Sequence, residues 1–356
     1  MTVTAVDLFC GAGGLTRGLK NSGIDVKYGI DFDQTCQYAY EQNNADSIFV
    51  GKSVTDISCE DVNNWLGNAS IKLLAGCAPC QPFSKYASTR KSNDDKWTLL
   101  REFQRLILGC QPDLVTMENV PQLRTHAIYL KFVETLKKEG YHVDYSVVSC
   151  AKYGLPQLRK RLVLVASKLG PIKIIEPLLS PENFNSVKTA IGHLPPLSAG
   201  ERHESDPLHF SASLSDINLQ RIKCSQPGGT WRDWPESLRA TCHSKDSGST
   251  YASVYGRMQW NKPSPTMTTQ SYGYGNGRFG HPEQNRALSL REIAILQSFP
   301  DDYQFFEPGT EMSTRAICTM IGNAVPVRLG EAIGETFMQH LRELNMPQTS
   351  DNFQLV

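Results

Sequence analysis

A chain of 356 residues, 40% hydrophobic and 20% charged, has the composition of an ordinary globular protein with room for two modest domains, or for one large domain with an insertion. Its 36 basic residues balance its 36 acidic ones, so global charge counts mildly against a nucleic-acid partner, although a local basic face would suffice for one. No run approaches the roughly 18 apolar residues that span a bilayer, and no signal peptide is evident. The ten cysteines follow no disulfide spacing, which fits a reducing, cytoplasmic setting.

In chain order, the first half alternates short apolar runs with amphipathic stretches, the pattern of a mostly parallel sheet covered by helices. Residues 3–9 read as a strand, 10–14 as a tight glycine loop and 15–21 as a helix stopped near Gly23. A second strand is expected at 26–30, then a helix around 34–43, buried strands at 71–75 and 114–117, a helix at 129–139 ended by Gly140, and a last strand at 162–166. The texture changes near Pro171. From there to about Arg286 the chain is rich in Pro, Gly, Ser, His and Trp, too long for a mere loop, and reads as a smaller second domain of short strands and loops. Helical periodicity returns at 288–297 and 327–344.

The stretch Asp7-Leu8-Phe9-Cys10-Gly11-Ala12-Gly13-Gly14 falls where the first strand turns into the first helix, and its glycines permit close approach of a ligand. A dinucleotide fingerprint would require glycine at position 16, which is Thr. Asp7 before the loop and Asp31 about twenty residues past it suit a ligand with an ammonium group and a ribose; a tight structural turn is the other reading.

Cys77-Ala78-Pro79-Cys80-Gln81-Pro82 follows a buried strand, at the carboxyl edge where open α/β sheets bind ligands. The two cysteines could be a redox pair, half a zinc site, or a lone nucleophile at Cys80 with an incidental spacing. Zinc lacks a second CxxC or a close His pair, and no metal is expected. Glu118 ends the next strong strand and so is expected to face Cys80 across one crevice, or to cap a helix as a structural acid. In Gln157-Leu158-Arg159-Lys160-Arg161, alternation puts Arg159 and Arg161 on one side, aimed together, unless the cluster is simply a solvated face.

At these residues the chain resembles the cytosine-5 DNA methyltransferases. DLFCGAGG is similar to the family's cofactor motif, PCQPFS to its nucleophile motif, ENV to its acid motif and QLRKR to its paired-arginine motif, while residues 263–303 and Gly322-Asn323-Ala324-Val325-Pro326 resemble its closing motifs, all in family order. The resemblance implies a Rossmann-like α/β methyltransferase domain at residues 1–175 plus about 300–345, a smaller, irregular target-recognition domain at about 176–290, and a tail at 346–356. It implies S-adenosylmethionine as cofactor, double-stranded DNA as partner and a monomer. Cys80 would be the nucleophile, Glu118 the group that holds or protonates ring nitrogen 3, and Arg159 and Arg161 the base-orienting pair, on a cytosine rotated out of the duplex. Asp7, Phe9, Gly11, Gly13, Asp31, Phe32, Pro79, Asn323 and Val325 would line the cofactor site. Gln81, Ser84, Lys85, Arg90, Lys91, Arg257, Thr268, Thr269 and Arg278 would meet DNA.

Two places depart from the family pattern. The third-motif acid that contacts adenine is matched only by Ser53 or Asp56, and Lys96-Trp97 stands where Arg-Gly is common after the catalytic loop. A transfer RNA cytosine methyltransferase on the same scaffold, a catalytically silent DNA-binding relative, and a nicotinamide oxidoreductase are the competing readings. The long middle segment favours DNA, and the set Cys80, Glu118 and Arg159 argues for catalysis.

Overall fold

The computed structural model describes residues 2–79, 97–245, 248, 250–310 and 313–345. Cys80, Gln81, Ser84, Lys85, Arg90, Lys91, Lys96 and the tail at 346–356 lie outside the described residues. Seven strands form one sheet: β1 (Val3–Leu8), β2 (Asp25–Ile30), β3 (Ile48–Val50), β4 (Ile71–Gly76), β5 (Leu114–Asn119), β6 (His142–Ser149) and β7 (Lys160–Ser167). Their spatial order is β3-β2-β1-β4-β5-β7-β6. The first five run parallel, and β7 is antiparallel to both β5 and β6. Strand order reverses between β1 and β4, and the crevice outside their carboxyl ends is where such sheets accept ligands.

Every residue of β1 and β5 is buried, because helices cover both faces and leave no reason for a polar alternation. On one face Val6, Leu8, Leu74 and Met117 pack with α3 (Cys59–Leu66), α4 (Thr98–Cys110) and α5 (Ala127–Lys138). Ser58 and Asp61 form a reciprocal cap that starts α3. On the other face Val3, Ala5, Leu73, Val163 and Val165 pack with Leu15 and Leu19 of α1 (Gly14–Asn21). The expected helix at 34–43 opens as a 3-10 turn (Gln34–Cys36) and continues as α2 (Gln37–Asn43). The strands β3 and β6 and the helices α3 and α4 are additions to the sequence reading.

The middle region holds two short α-helices, α6 (Val187–Ile191) and α7 (Asp216–Cys224), several 3-10 turns and isolated bridges. Among the described residues it builds no strand ladder, contrary to the short strands expected. Its density of proline and glycine removes ladder donors and favours turns. Its core is largely shared: Val187, Leu208, Met258, Met267 and Phe279 cluster with Ile293 of α8 (Leu290–Leu296), with Ile317 and Ile321 of α9 (Thr314–Asn323), and with Cys10, Ala12 and Tyr40 of the first half. Two small satellite clusters, one around Ile222 and Tyr274 and one around Trp231 and Trp234, belong to the middle alone. A boundary near residue 290 therefore crosses a continuous core.

The last helix, α10 (Val327–Asn345), returns to the first. Leu329, Ile333 and Phe337 join the cluster around Leu15 and Leu19, and Ser22 Oγ donates to the Glu331 carbonyl at 3.0 Å. The helices meet through glycine. A Cβ on Gly18 would sit 2.5 Å from the Val327 carbonyl oxygen and 2.6 Å from the Glu331 amide nitrogen. Because backbone cannot yield as a flexible side chain can, Gly18→Ala should destabilise the protein by roughly 2–3 kcal/mol. The midpoint of urea unfolding reads this directly; an unchanged midpoint would show that α1 and α10 separate freely.

Candidate active site

The crevice begins at the turn after β1. Phe9 takes a left-handed backbone conformation (φ 62°), as does Gly11 (φ 51°), so the chain reverses sharply enough for the Gly11 amide to donate to Asp31 Oδ2 at 2.9 Å. Asp31, at the end of β2, also accepts the Asp33 amide on Oδ1 at 2.9 Å. Burial raises its carboxyl above the ordinary range, and those amides pull it back. Beside it Phe32 leaves 72% of its surface exposed, an uncovered aromatic face at a ligand crevice. Gly13 is also left-handed (φ 87°) and packs against Asn44 and Tyr40. Tyr303, from the far end of the chain, donates to the Ala12 carbonyl at 2.5 Å.

Asp7 is buried beneath the turn. Thr16 Oγ1 donates to its Oδ2 at 2.7 Å, whereas Oδ1 has no hydrogen-bond partner. Burial, with a smaller push from Asp31, raises this carboxyl to about 7. A ribose, a planar base and a cationic end fit this set: Asp31 for hydroxyl donors, Phe32 for stacking, and the orphaned Asp7 oxygen for positive charge. Pro79 is exposed at the neighbouring edge, and Asn323 is exposed at the end of α9. Val325 is buried, with its carbonyl against Gly14 at the start of α1. After β3, Ser53 caps the turn Val54–Asp56 and accepts from Thr55, and Asp56 is exposed on that turn.

On the other side of the switch point, Glu118 ends β5 almost fully buried. Arg161 Nε lies 2.8 Å from its Oε1, a close ion pair that leaves Oε1 without an aligned hydrogen bond. Cys77 donates its thiol to Oε2 at 2.9 Å. The next residue, Asn119, donates from Nδ2 to the Ala78 carbonyl at 2.8 Å, which ties the segment entering Cys80 to the end of β5. Cys77 and Asn119 are neighbours of the acid whose contacts there the sequence reading did not foresee: it weighed Cys77 only as a partner of Cys80. The acid motif contained Asn119, but no spacing rule linked Cys77 to a residue 41 positions away.

Arg159 and Arg161 both lie near Glu118, with different partners. Arg159 is buried and donates to the carbonyls of Met267 (2.8 Å) and Gly322 (3.1 Å). Burial, then the charge of Arg161, pushes its guanidinium down to about 9, so it stays cationic at neutral pH. Gln157 is also buried. It donates to the Leu296 carbonyl at 3.0 Å and to Gln297 Oε1 at 2.9 Å, and accepts the Met267 amide at 2.9 Å. Trp97 is buried, with its ring 4.2 Å from that of His126, and so holds the segment where the chain enters α4.

The middle-segment residues expected to meet DNA divide. Thr268 is exposed and Thr269 half-buried, on a loop whose backbone packs directly on Gly322. Arg278 is half-buried and donates to the Gly229 and Arg257 carbonyls. Arg257 is a correction: it is buried, and its guanidinium donates to the carbonyls of Ile222, His281 and Gln284 and to Asn285. With its donors engaged internally, it holds the loops together and has none free for a base edge.

The sheet order and the reversed seventh strand are those of the Rossmann-like methyltransferase fold. A profile described as C-5 cytosine-specific DNA methylase matches residues 3–339, and the chain belongs to that family. It is 51% identical over 352 residues to the type II methylase M.HgiDII of Herpetosiphon aurantiacus, covering 98% of each chain. To the type II methyltransferase M1.HphI of Haemophilus parahaemolyticus it is 33% identical, over 95% of this chain and 87% of the relative. A solved prophage-encoded Escherichia coli protein, a candidate DNA modification methyltransferase, shares the fold with a TM-score of 0.73 at 22% identity, over 96% of this chain and 100% of its own. Among the described residues no helix is long and apolar enough to cross a membrane, and no group of three or more His, Cys, Asp or Glu side chains could hold a metal ion.

The state of Asp7 sets a pH dependence for the ligand-free protein. Its carboxyl loses its proton near 3.8 when unfolded and near 7 when folded, so the protonated form favours folding and that contribution is lost as pH rises across this window. Asp7→Asn cannot ionise. Its stability relative to the wild type should climb between about pH 4 and pH 7, by on the order of 2–4 kcal/mol, and then level off. Denaturant titrations at several pH values test this; a constant difference would place the buried charge elsewhere.

Proposed function

We propose that the chain methylates carbon 5 of a cytosine within a specific double-stranded DNA sequence, with S-adenosylmethionine bound at the β1–β4 switch point and Cys80 as the nucleophile, as a modification enzyme with or without a partner endonuclease. The observation that carries the reading is Asn119 holding Ala78 beside Glu118, which brings the chain entering Cys80 and the buried acid to one edge. Asp31, Phe32, Phe9, Gly11 and Gly13 would hold the nucleoside part of the cofactor, and Asp7 would face its cationic end. When bound, the cofactor supplies a methyl group on a positively charged sulfur that departs as a neutral thioether.

The chain's own residues then divide the work. The Cys80 thiolate bonds to carbon 6 of the extruded cytosine, which makes carbon 5 enamine-like and nucleophilic. Glu118 holds a proton at ring nitrogen 3, so that charge does not build up on the ring. Arg161 holds the Glu118 carboxyl by its charge at Oε1 and, with Arg159, would orient the base; Arg159 also fixes the floor of the site to the middle segment. After carbon 5 takes the methyl group, a solvent water takes up its proton, the carbon 5–carbon 6 double bond reforms, and Cys80 leaves as the thiolate. Gln81, Ser84, Lys85, Arg90 and Lys91 would meet the DNA strand from the nucleophile's own loop. In the middle region, residues about 176–290, Thr268, Thr269 and Arg278 would face the duplex.

Cys80→Ser should lower methyl transfer from labelled donor to duplex DNA by about a thousandfold or more, since a hydroxyl is a far weaker nucleophile than a thiolate. Duplex DNA containing 5-fluorocytosine should leave an adduct that peptide mapping places on Cys80. An adduct elsewhere, full activity of the serine variant, or transfer to transfer RNA instead of duplex DNA would overturn the reading.

The two halves of the molecule should also separate in their readouts. Asp31→Ala should weaken cofactor binding about tenfold or more by calorimetry, with the methylated sequence unchanged. Replacing Thr268 and Thr269 should relax or weaken site choice, on the order of 1–3 kcal/mol per lost base contact, with cofactor affinity intact. Bisulfite sequencing of plasmid DNA from expressing cells reports the site. Equal losses of cofactor affinity in both sets of variants would sink the division.

A further inference from the structure

We infer that Cys77 is a positioning residue whose thiol, by donating to Oε2 of Glu118, fixes the carboxyl in the orientation that presents a proton to the substrate ring. The inference rests on the reading of Glu118 as the proton-holding group. Cys77 directly follows β4, and its own amide donates to the Leu8 carbonyl at 3.3 Å, so its backbone is pinned at the switch point. Its sulfur lies 2.9 Å from Oε2, short for a thiol and consistent with a charged acceptor. Among the described residues this thiol is the aligned hydrogen-bond donor to the carboxylate, since Arg161 approaches Oε1 as an ion pair without that alignment.

A thiol suits this position for a chemical reason. A group that must take up and release a proton needs a fixed direction, but a strong donor on its anionic form would make it a poor proton holder. The S–H group is a weak donor, so it gives the carboxyl a direction while adding little to the stabilisation of the anion that Arg161 already supplies. Burial, and then the charge of Glu118, holds the Cys77 thiol well above its usual range, so it remains a donor at any working pH. The same environment makes it unfit as a nucleophile or redox partner for Cys80, and gives the CxxC spacing a meaning other than coincidence. The groups that face this carboxyl are Cys77 after β4, Arg161 on β7, Arg159 just before it and Cys150 after β6; Asp7 on β1 acts on Cys77.

The test is single-turnover methyl transfer to unmethylated plasmid DNA at saturating donor, measured from about pH 5.5 to 9, for the wild type, Cys77→Ala, Cys77→Ser and Glu118→Gln. Proton delivery from Glu118 requires its protonated form, so the rate falls on the alkaline side as that proton is lost. Removing the donor weakens the anion and moves this limb to higher pH; a hydroxyl, the stronger donor, moves it to lower pH. We expect Cys77→Ala to be about tenfold slower, with donor affinity unchanged and its limb moved up. Cys77→Ser should recover to within about threefold of the wild type, with its limb moved down. Wild-type rates and limbs in both variants, or limbs that move in the same direction, would overturn the inference while leaving Glu118 in place. Should Cys77→Ala fail to fold, the Cys77→Ser limb decides alone, and an unmoved limb counts against the inference. A wild-type rate for Glu118→Gln removes the reading of Glu118 on which it rests.

Discussion

The site depends on a buried polar clamp where the strand entering β7 meets the middle segment. Gln157 and Arg159 offer their side chains to the backbone of Met267, Leu296 and Gly322, and Leu158 donates its amide to the Ser264 carbonyl at 2.8 Å. Each of these partners is a main-chain group, and a buried main-chain group left without a hydrogen bond costs about 1–3 kcal/mol. The clamp therefore fixes three distant parts of the chain by their backbones, whatever their side chains are. Thr268 and Thr269 are carried into place one and two residues beyond Met267. The same guanidinium that looks like a catalytic charge in the sequence is, in the fold, the fastener between the chemistry and the region proposed to read DNA.

The antiparallel insertion of β7 has a second effect. Glu118 pairs with Val163 and Asn119 with Leu162, so Arg161 enters the sheet level with the end of β5 and meets Glu118 at the carboxyl edge. A parallel strand in that position would bring the start of β7, with Arg161, to the opposite edge. Topology, rather than proximity in sequence, thus pairs an acid and a base 43 residues apart. It also surrounds that pair with low-dielectric walls, where an orienting hydrogen bond carries more weight than it would in water.

How far the sequence disclosed this depends on the kind of information each feature needed. The glycine turn after β1 and the acid at the end of a strong strand were legible because their residue types are dictated by local geometry or chemistry. Strand β6 was not, since most of its residues are half-buried at a sheet edge and show no clear alternation. Helix α4 buries Leu100, Phe103, Leu106 and Ile107 at helical spacing, so its signal was present in the sequence. Arg257 was misread because a basic residue in a loop-rich segment looks the same whether it meets phosphate or four inward-facing acceptors. The contact of Cys77 with Glu118 could not be read from spacing at all; it exists only because β4 and β5 are neighbours.

The glycine seam between α1 and α10 also bears on how the chain is made. The apolar face of α1, Leu15 and Leu19, is covered by Leu329, Ile333 and Phe337. Those residues leave the ribosome more than three hundred positions later. At synthesis rates of about 5–20 residues per second, the first helix waits on the order of fifteen seconds or more for its partner. Throughout that interval the N-terminal sheet has one face unsealed, and the nascent chain carries an exposed apolar stripe of the kind that holding chaperones bind. A protein truncated before residue 327 would keep that stripe permanently, so premature termination should give insoluble product rather than a shorter folded domain.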